Sequence, residues 1–181
     1  EENRLYDLVE TQTASQVGML RDLTTQLGQA QDLDTARRLL GKIVVVGTYI
    51  KRRSDLIFVS RQEQSIRTEE LLLGVRESAE NLRLYGVECG VRIAGCERLP
   101  AETASMGYDL FEAVIETGID TVSAVLFCLE PEGSRMQLTI CADCAGDMTL
   151  LGESFPGVVV WQDEDGLWYL TMAFEEGGSC A

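Results

Sequence analysis

The chain has 181 residues, 45% hydrophobic and 25% charged, room for one domain plus a helical extension with an apolar core. Thirty acidic residues against 15 basic ones leave a net charge of −15, which repels phosphate backbones and anionic lipid and argues against nucleic-acid binding. No apolar run approaches the roughly 18 residues of a membrane span; the longest, Ile43-Val44-Val45-Val46-Gly47, is soon followed by Lys51-Arg52-Arg53.

Residues 1 to about 30 are expected to form one helix. Tyr6, Thr13, Leu20 and Leu27 fall at one seam position of a heptad, and Val9, Gln16, Leu23 and Ala30 at the other. Gly28 and Asp32 interrupt it, and Asp32 or Asp34 can cap a second helix by accepting from free first-turn amides. The stripe of that helix is expected at Ala36, Leu40, Ile43, Gly47, Ile50, Ser54 and Ile57. Two long amphipathic helices on a short turn pack antiparallel, and one hairpin has too little area to cover both stripes. A homodimer closing a four-helix bundle is therefore expected.

A third helix is expected from Ser65, as its cap, to Tyr85, ended by Gly86. A short strand, 87–93, and a fourth helix, 101–117, follow. Strands are expected at 121–129 and 135–142 around Glu130-Pro131-Glu132-Gly133, and at 158–162 and 168–174 around the turn pair Asp165-Gly166. Trp161 and Trp168 flank that turn, where cross-strand aromatic packing accounts for them. The tail, 175–181, is expected to be loose. The fold class is thus α+β, with residues 1–61 as a dimerising hairpin and 62–181 as a helix-and-sheet sandwich.

Six cysteines, Cys89, Cys96, Cys128, Cys141, Cys144 and Cys180, are expected to be reduced in a chain large enough to need no disulfide framework. Cys141 and Cys144 have CxxC spacing, but no second pair and no histidine completes a zinc site. Structural thiols are the simpler expectation, and no metal is assigned. No signal peptide is visible, and the opening Glu1-Glu2-Asn3 fits a piece of a longer protein.

Two segments give the order of elements a family resemblance. Gln12-Thr13-Ala14-Ser15-Gln16 through Leu20 resembles the acceptor motif Q-x-x-P-H-F-x-x-N of sensor histidine kinases of the autolysis-regulator class. Gln12 matches the leading glutamine, Gln16 falls on the phosphorylated histidine, Ser15 replaces the proline and Leu20 the asparagine. Leu110-Phe111-Glu112-Ala113 through Gly118 is similar to their nucleotide box L-V-E-N-A-I-x-H-G, with Glu112 and Gly118 kept, Ala113 at the Mg²⁺-holding asparagine and Thr117 at the histidine. The D-N-G-x-G box falls on Asp143-Cys144-Ala145-Gly146, and the Gly-rich lid over the phosphates has no counterpart.

The resemblance implies a dimerisation hairpin and an ATPase-type α/β sandwich. It implies a cytoplasmic place, as part of a membrane-anchored sensor, and a response regulator or other signalling protein as partner. It also implies chemistry lost: the chain has no histidine, and a glutamine amide is no nucleophile toward phosphate. ATP and Mg²⁺ are expected to bind weakly or not at all. The expected function is therefore two-component-type signalling through dimerisation and partner binding. The alternatives are a kinase that still binds ATP and a purely structural dimer module.

Each singled-out residue also has a plainer explanation. Gln16 at a helix seam fixes register. Glu112 is accounted for as a solvated or capped glutamate, since one carboxylate holds Mg²⁺ feebly. Asp143 either hydrogen-bonds adenine, as in the family, or ends a strand at a turn. Lys51, Arg52 and Arg53 either dock on an acidic partner or an acidic face of the chain's own second half, or form a solvated helix face, the simpler expectation.

Overall fold

The structure, a computed structural model, describes residues 2–175, and the side chains of 7–174. Of the expected loose tail, Glu175 ends the last strand, and 176–181 lie outside the described residues, as does the side chain of Tyr6.

Helices α1 (Glu2–Gln29) and α2 (Leu33–Gln62) form the expected hairpin. Asp32 caps α2: its backbone is extended, and its Oδ1 accepts from the Thr35 amide at 2.7 Å. Leu23 from α1 meets Leu39 and Val46 from α2 in a small core edged by Leu20, Leu27, Ile43 and Ile50.

The α2 stripe is only part of the one expected: Ile43, Ile50 and Ile57 are covered, and Leu40 is not. Leu40 is 45% exposed, whereas Val45, Tyr49 and Leu56 are buried in the main core of the protein. The reason is that α2 is covered on two sides. One face packs on α1 and the other on the helices of the second half, so a single amphipathic period cannot describe it.

The third helix, α3 (Thr68–Leu84), starts later than expected. Ser65 is not its cap. It opens a short strand, β1 (Ser65–Arg67), paired antiparallel with β3 (Arg98–Pro100). This pair sinks Ile66 and Leu99 into the core at 1% and 2% exposure, which a helical turn at Ser65 would not do. Between them lies β2 (Glu88–Ile93), and after them α4 (Ala101–Gly118).

The sheet completes with β4 (Ala124–Glu132), β5 (Arg135–Asp143), β6 (Val159–Gln162) and β7 (Trp168–Glu175), and a short α5 (Thr149–Ser154) precedes β6. Strand order is β2-β4-β5-β7-β6; β2 and β4 run parallel and the other neighbours antiparallel. A parallel neighbour needs a crossover, and α4 supplies it. Val125, Phe127 and Leu129 of β4, with Leu138 and Ile140 of β5, face Leu110, Phe111, Val114 and Ile115 of α4 in one core. The result is a helical hairpin leading into an α/β sandwich.

Two turns depart from expectation. The β4–β5 strands run on through Pro131, and the turn is Gly133-Ser134, with Gly133 at φ 64°. Proline is tolerated there because β2 has already ended opposite Leu129, so no second strand asks for its amide. In the β6–β7 hairpin, Trp161 stacks on Tyr169 with ring centres 4.1 Å apart, while Trp168 is buried opposite Gln162. The cross-strand aromatic pair exists, but Tyr169 is the partner.

Because α2 belongs to the main core, a fragment starting at residue 63 should lose cooperative folding. A fragment starting at residue 31, which keeps α2 and omits α1, should remain folded. Circular dichroism during urea titration checks this: a sharp transition in the shorter fragment would show that α2 is dispensable.

Candidate hairpin-to-domain site

On α4, Asp109, Glu112 and Glu116 are spaced i, i+3, i+7 and so share one face. That face meets the hairpin. Tyr49 Oη donates to Asp109 Oδ1 at 2.9 Å, and Arg53 Nε lies 2.6 Å from the same oxygen, off the N–H direction and so paired by charge. From α1, Gln16 Nε2 donates to Glu116 Oε1 at 2.9 Å. The acceptor-like glutamine is thus brought to the nucleotide-box helix, one turn beyond Glu112.

The basic cluster completes the attachment. Lys51 Nζ donates to Glu77 Oε1 of α3 at 2.8 Å, Arg52 pairs with the same carboxylate, and Arg53 holds Asp109. Of the two alternatives open for these cations, the structure has them on an acidic face of the chain's own second half. Asn81 Nδ2 adds a bond to Thr48 Oγ1 at 2.8 Å, and the Tyr49 and Tyr108 rings pack with centres 5.5 Å apart.

Glu112 lies within this contact at 1% exposure, and neither carboxyl oxygen has a partner among the described residues. It is neither solvated nor capped. Burial first, then the charges of Glu116 and Asp109, push its carboxyl well above the usual range. Burial of an isolated carboxyl group favours its protonated form, because the ionised form is far costlier to bury. Burial also raises Asp109, against the pull of Arg53, and raises Glu116, against the hydrogen bond from Gln16.

Asp143 stands apart. It ends β5, is exposed, and accepts from Ser123 Oγ. Beside Cys141, Leu126 and Gly90 it lines a groove on the sheet face away from the helices. At the end of α4, Thr117 returns its hydroxyl to the Ala113 carbonyl at 2.7 Å. Residues 144–148 close over that end: a Cβ added at Gly146 would stand 2.7 Å from the Thr117 carbonyl oxygen, and one at Gly118 would stand 3.2 Å from Cys144 Sγ. Met148 is fully buried.

These residues do not fit a magnesium–nucleotide complex. Ala113 offers no oxygen to the metal, Asp143 is engaged on the other face, and chain fills the helix end. Cys141 is half-buried on the outer face, while Cys144 is buried at the α4 end. Burial raises both thiols, which makes them poor ligands, and no metal-binding cluster occurs among the described residues. Cys180 lies outside them.

The sequence did not single out Asp109, Glu116, Tyr49 or Glu77. A signal was present in α4, where three carboxylates at helical spacing interrupt the apolar residues Leu110, Phe111, Val114 and Ile115. No family model matches the chain, and no curated protein sequence does. Among solved structures, a bacterial phosphotransferase superposes with a TM-score of 0.50 at 10% identity, over 94% of this chain and 93% of that one. The kinase domain of the blue-light activated histidine kinase EL346 from Erythrobacter litoralis gives 0.48 at 12% identity, over 86% and 94%. The histidine kinase AdeS from Acinetobacter baumannii gives 0.47 at 11% identity, over 91% and 97%. A TM-score below 0.5 falls short of a shared fold, so these two rank behind the first. Hairpin, crossover helix and mixed sheet together are the fold shared with the bacterial phosphotransferase.

Glu112 ties stability to pH. Its folded pKa lies above its unfolded one, so its contribution is complete below about pH 4, the unfolded range, and is lost as pH rises through the folded value. Asp109 and Glu116 act in the same sense. The advantage of Glu112→Leu over the parent should therefore be smallest at about pH 4, the unfolded range, and grow as pH rises above it. The expected gain is up to about 1.4 kcal/mol for each pH unit over which only the folded form holds the proton. Urea denaturation at several pH values measures this; a variant less stable than the parent at every pH would refute a buried, unpartnered Glu112 whose pKa is raised.

Proposed function

We propose that the chain is a histidine-kinase-like signalling protein that has given up phosphotransfer and works through the position of its hairpin. In this account residues 1–61 dimerise, and residues 62–181 serve as a degenerate ATPase-like scaffold that presents a surface to a response regulator or other signalling protein. It would act as the cytoplasmic part of a membrane-anchored sensor. No helix among the described residues is long and apolar enough to cross a membrane.

The observation that carries this proposal is the bond from Gln16 to Glu116. A side chain at the acceptor-like position is engaged with the box helix, in a chain without histidine. The attachments around it are charge pairs and hydrogen bonds between α2 and α3 or α4, which can exist in a made and an unmade arrangement. A signal that favours one arrangement shifts the population of both.

Dimerisation is supported by the face α2 leaves open. Leu40, Val44 and Phe58 are 45%, 38% and 38% exposed there. They lie close to one line along the helix, as residues covered by a neighbouring helix do.

Two experiments test the proposal. In sedimentation at micromolar concentration the parent should run as a dimer of the 20.0 kDa chain, and Val44→Glu as a monomer, because a seam charge would be buried unpaired. A strictly monomeric parent removes the bundle. Incubation with labelled ATP and Mg²⁺ should leave the protein unlabelled, with an ATP dissociation constant above roughly 1 mM. A thermal shift at about 100 μM nucleotide, well below that constant, that vanishes in Asp143→Ala would instead support a kinase that still binds ATP.

A further inference from the structure

We propose that the cleft between the first turns of α2 and the ends of α3 and α4 binds a small carboxylate with an aliphatic body. The site does not depend on the kinase-like proposal. It is a cavity of about 450 Å³, the size of small-molecule sites in general. Its apolar walls are mostly aliphatic, Val45 from α2, Leu82 from α3, Val87 before β2, and Ile119 and Val122 after α4, with the Tyr85 ring beside them.

The rim has the opposite character. Arg37, Arg38 and Lys42 of α2 stand at the cavity. Three of the chain's 15 basic residues thus meet at one mouth in a protein of net charge −15. The other basic cluster is taken up by carboxylates of α3 and α4. Here only Lys42 is so held, by Asp120. Arg37 reaches Asp34 at 4.0 Å, with both side chains largely exposed. Arg38 has the Thr35 hydroxyl at 3.4 Å and, among the described residues, no carboxylate within 4.0 Å.

Two guanidinium groups at the mouth of an aliphatic cleft define the ligand. Guanidinium matches a carboxylate with two parallel hydrogen bonds. Aliphatic walls select a hydrocarbon body. A polyanion would meet Asp34 and Asp120 beside the arginines, and a cation would be repelled by Arg38, which has no carboxylate partner among the described residues. The walls come from the hairpin and from the second half together, so the ligand recognises the docked arrangement and stabilises it by mass action.

Decanoate, below its micelle concentration, tests the site on the full chain by calorimetry, with decanol and decyltrimethylammonium as neutral and cationic counterparts. Arg37→Glu with Arg38→Glu reverses the rim. Leu84→Trp fills the mouth at a position 77% exposed, where folding tolerates it. Circular dichroism verifies that both variants fold. Decanoate should bind with a dissociation constant below about 1 mM, and roughly ten-fold or more weaker to the charge-reversed variant. Decanol and decyltrimethylammonium should bind at least about ten-fold weaker than decanoate to the parent. Failure of decanoate to bind, equal binding of decanol or of the cation, or unchanged binding to the charge-reversed variant would each overturn the assignment.

Discussion

The structure depends on α2 being held from two sides. On one side Leu39 and Val46 meet α1; on the other Val45, Tyr49 and Leu56 enter the core of the sandwich, and Arg53 closes on Asp109 beneath them. Taken alone, Arg53 and Asp109 would be a costly pair, since removing two charges from water can outweigh their attraction. The Tyr49 hydroxyl shares the load by donating to the same carboxylate. With α2 fixed, α4 has the sheet on one face and the hairpin on the other; of its three carboxylates there, Glu112 is buried and Asp109 and Glu116 are partly exposed.

Chemistry at α4 follows from that burial. A glutamate on a nucleotide-box helix is useful when solvent, metal or substrate can reach it. Here Glu112 is buried at 1% exposure, and that burial favours its protonated form. Its neighbours Asp109 and Glu116 tolerate burial because each has hydrogen-bonding partners, whereas Glu112 has none among the described residues. The least satisfied group in the interior therefore lies in the contact that joins the two halves. A contact containing such a group is weaker than its apolar area alone would make it.

Much of the fold was legible because its signals are local. The Asp32 cap, the glycine that ends α3 and the Asp165-Gly166 turn act over a few residues, and the elements around them stand where expected to within a few positions. The β1–β3 pair was not legible, because two three-residue strands carry no period and their partnership spans the whole of α3 and β2. The α2 stripe was partly misplaced, for a related reason: a helix buried on two faces has two overlapping periods, and Leu40 belongs to neither. At the site, Gln16 and Glu112 were singled out by motif, but their environment was not legible. What buries Glu112 is a hairpin folded back from many residues away, and no window along α4 contains Tyr49, Arg53 or Gln16. Lys51 to Arg53 were visible as a cluster; their partners Glu77 and Asp109 are on other helices.

The aromatic residues divide in space in a way that separates optical signals. Both tryptophans, Trp161 and Trp168, lie in the β6–β7 hairpin at the far edge of the sheet, and Trp161 is half exposed against Tyr169. Tyr49, Tyr85 and Tyr108 instead line the contact between α2 and the helices of the sandwich. Intrinsic tryptophan emission therefore reports on the sheet, whereas near-ultraviolet absorbance and dichroism of the tyrosines report on the seam. The two wavelengths form a built-in pair of reporters, one for loss of the whole fold and one for the seam, with no label required.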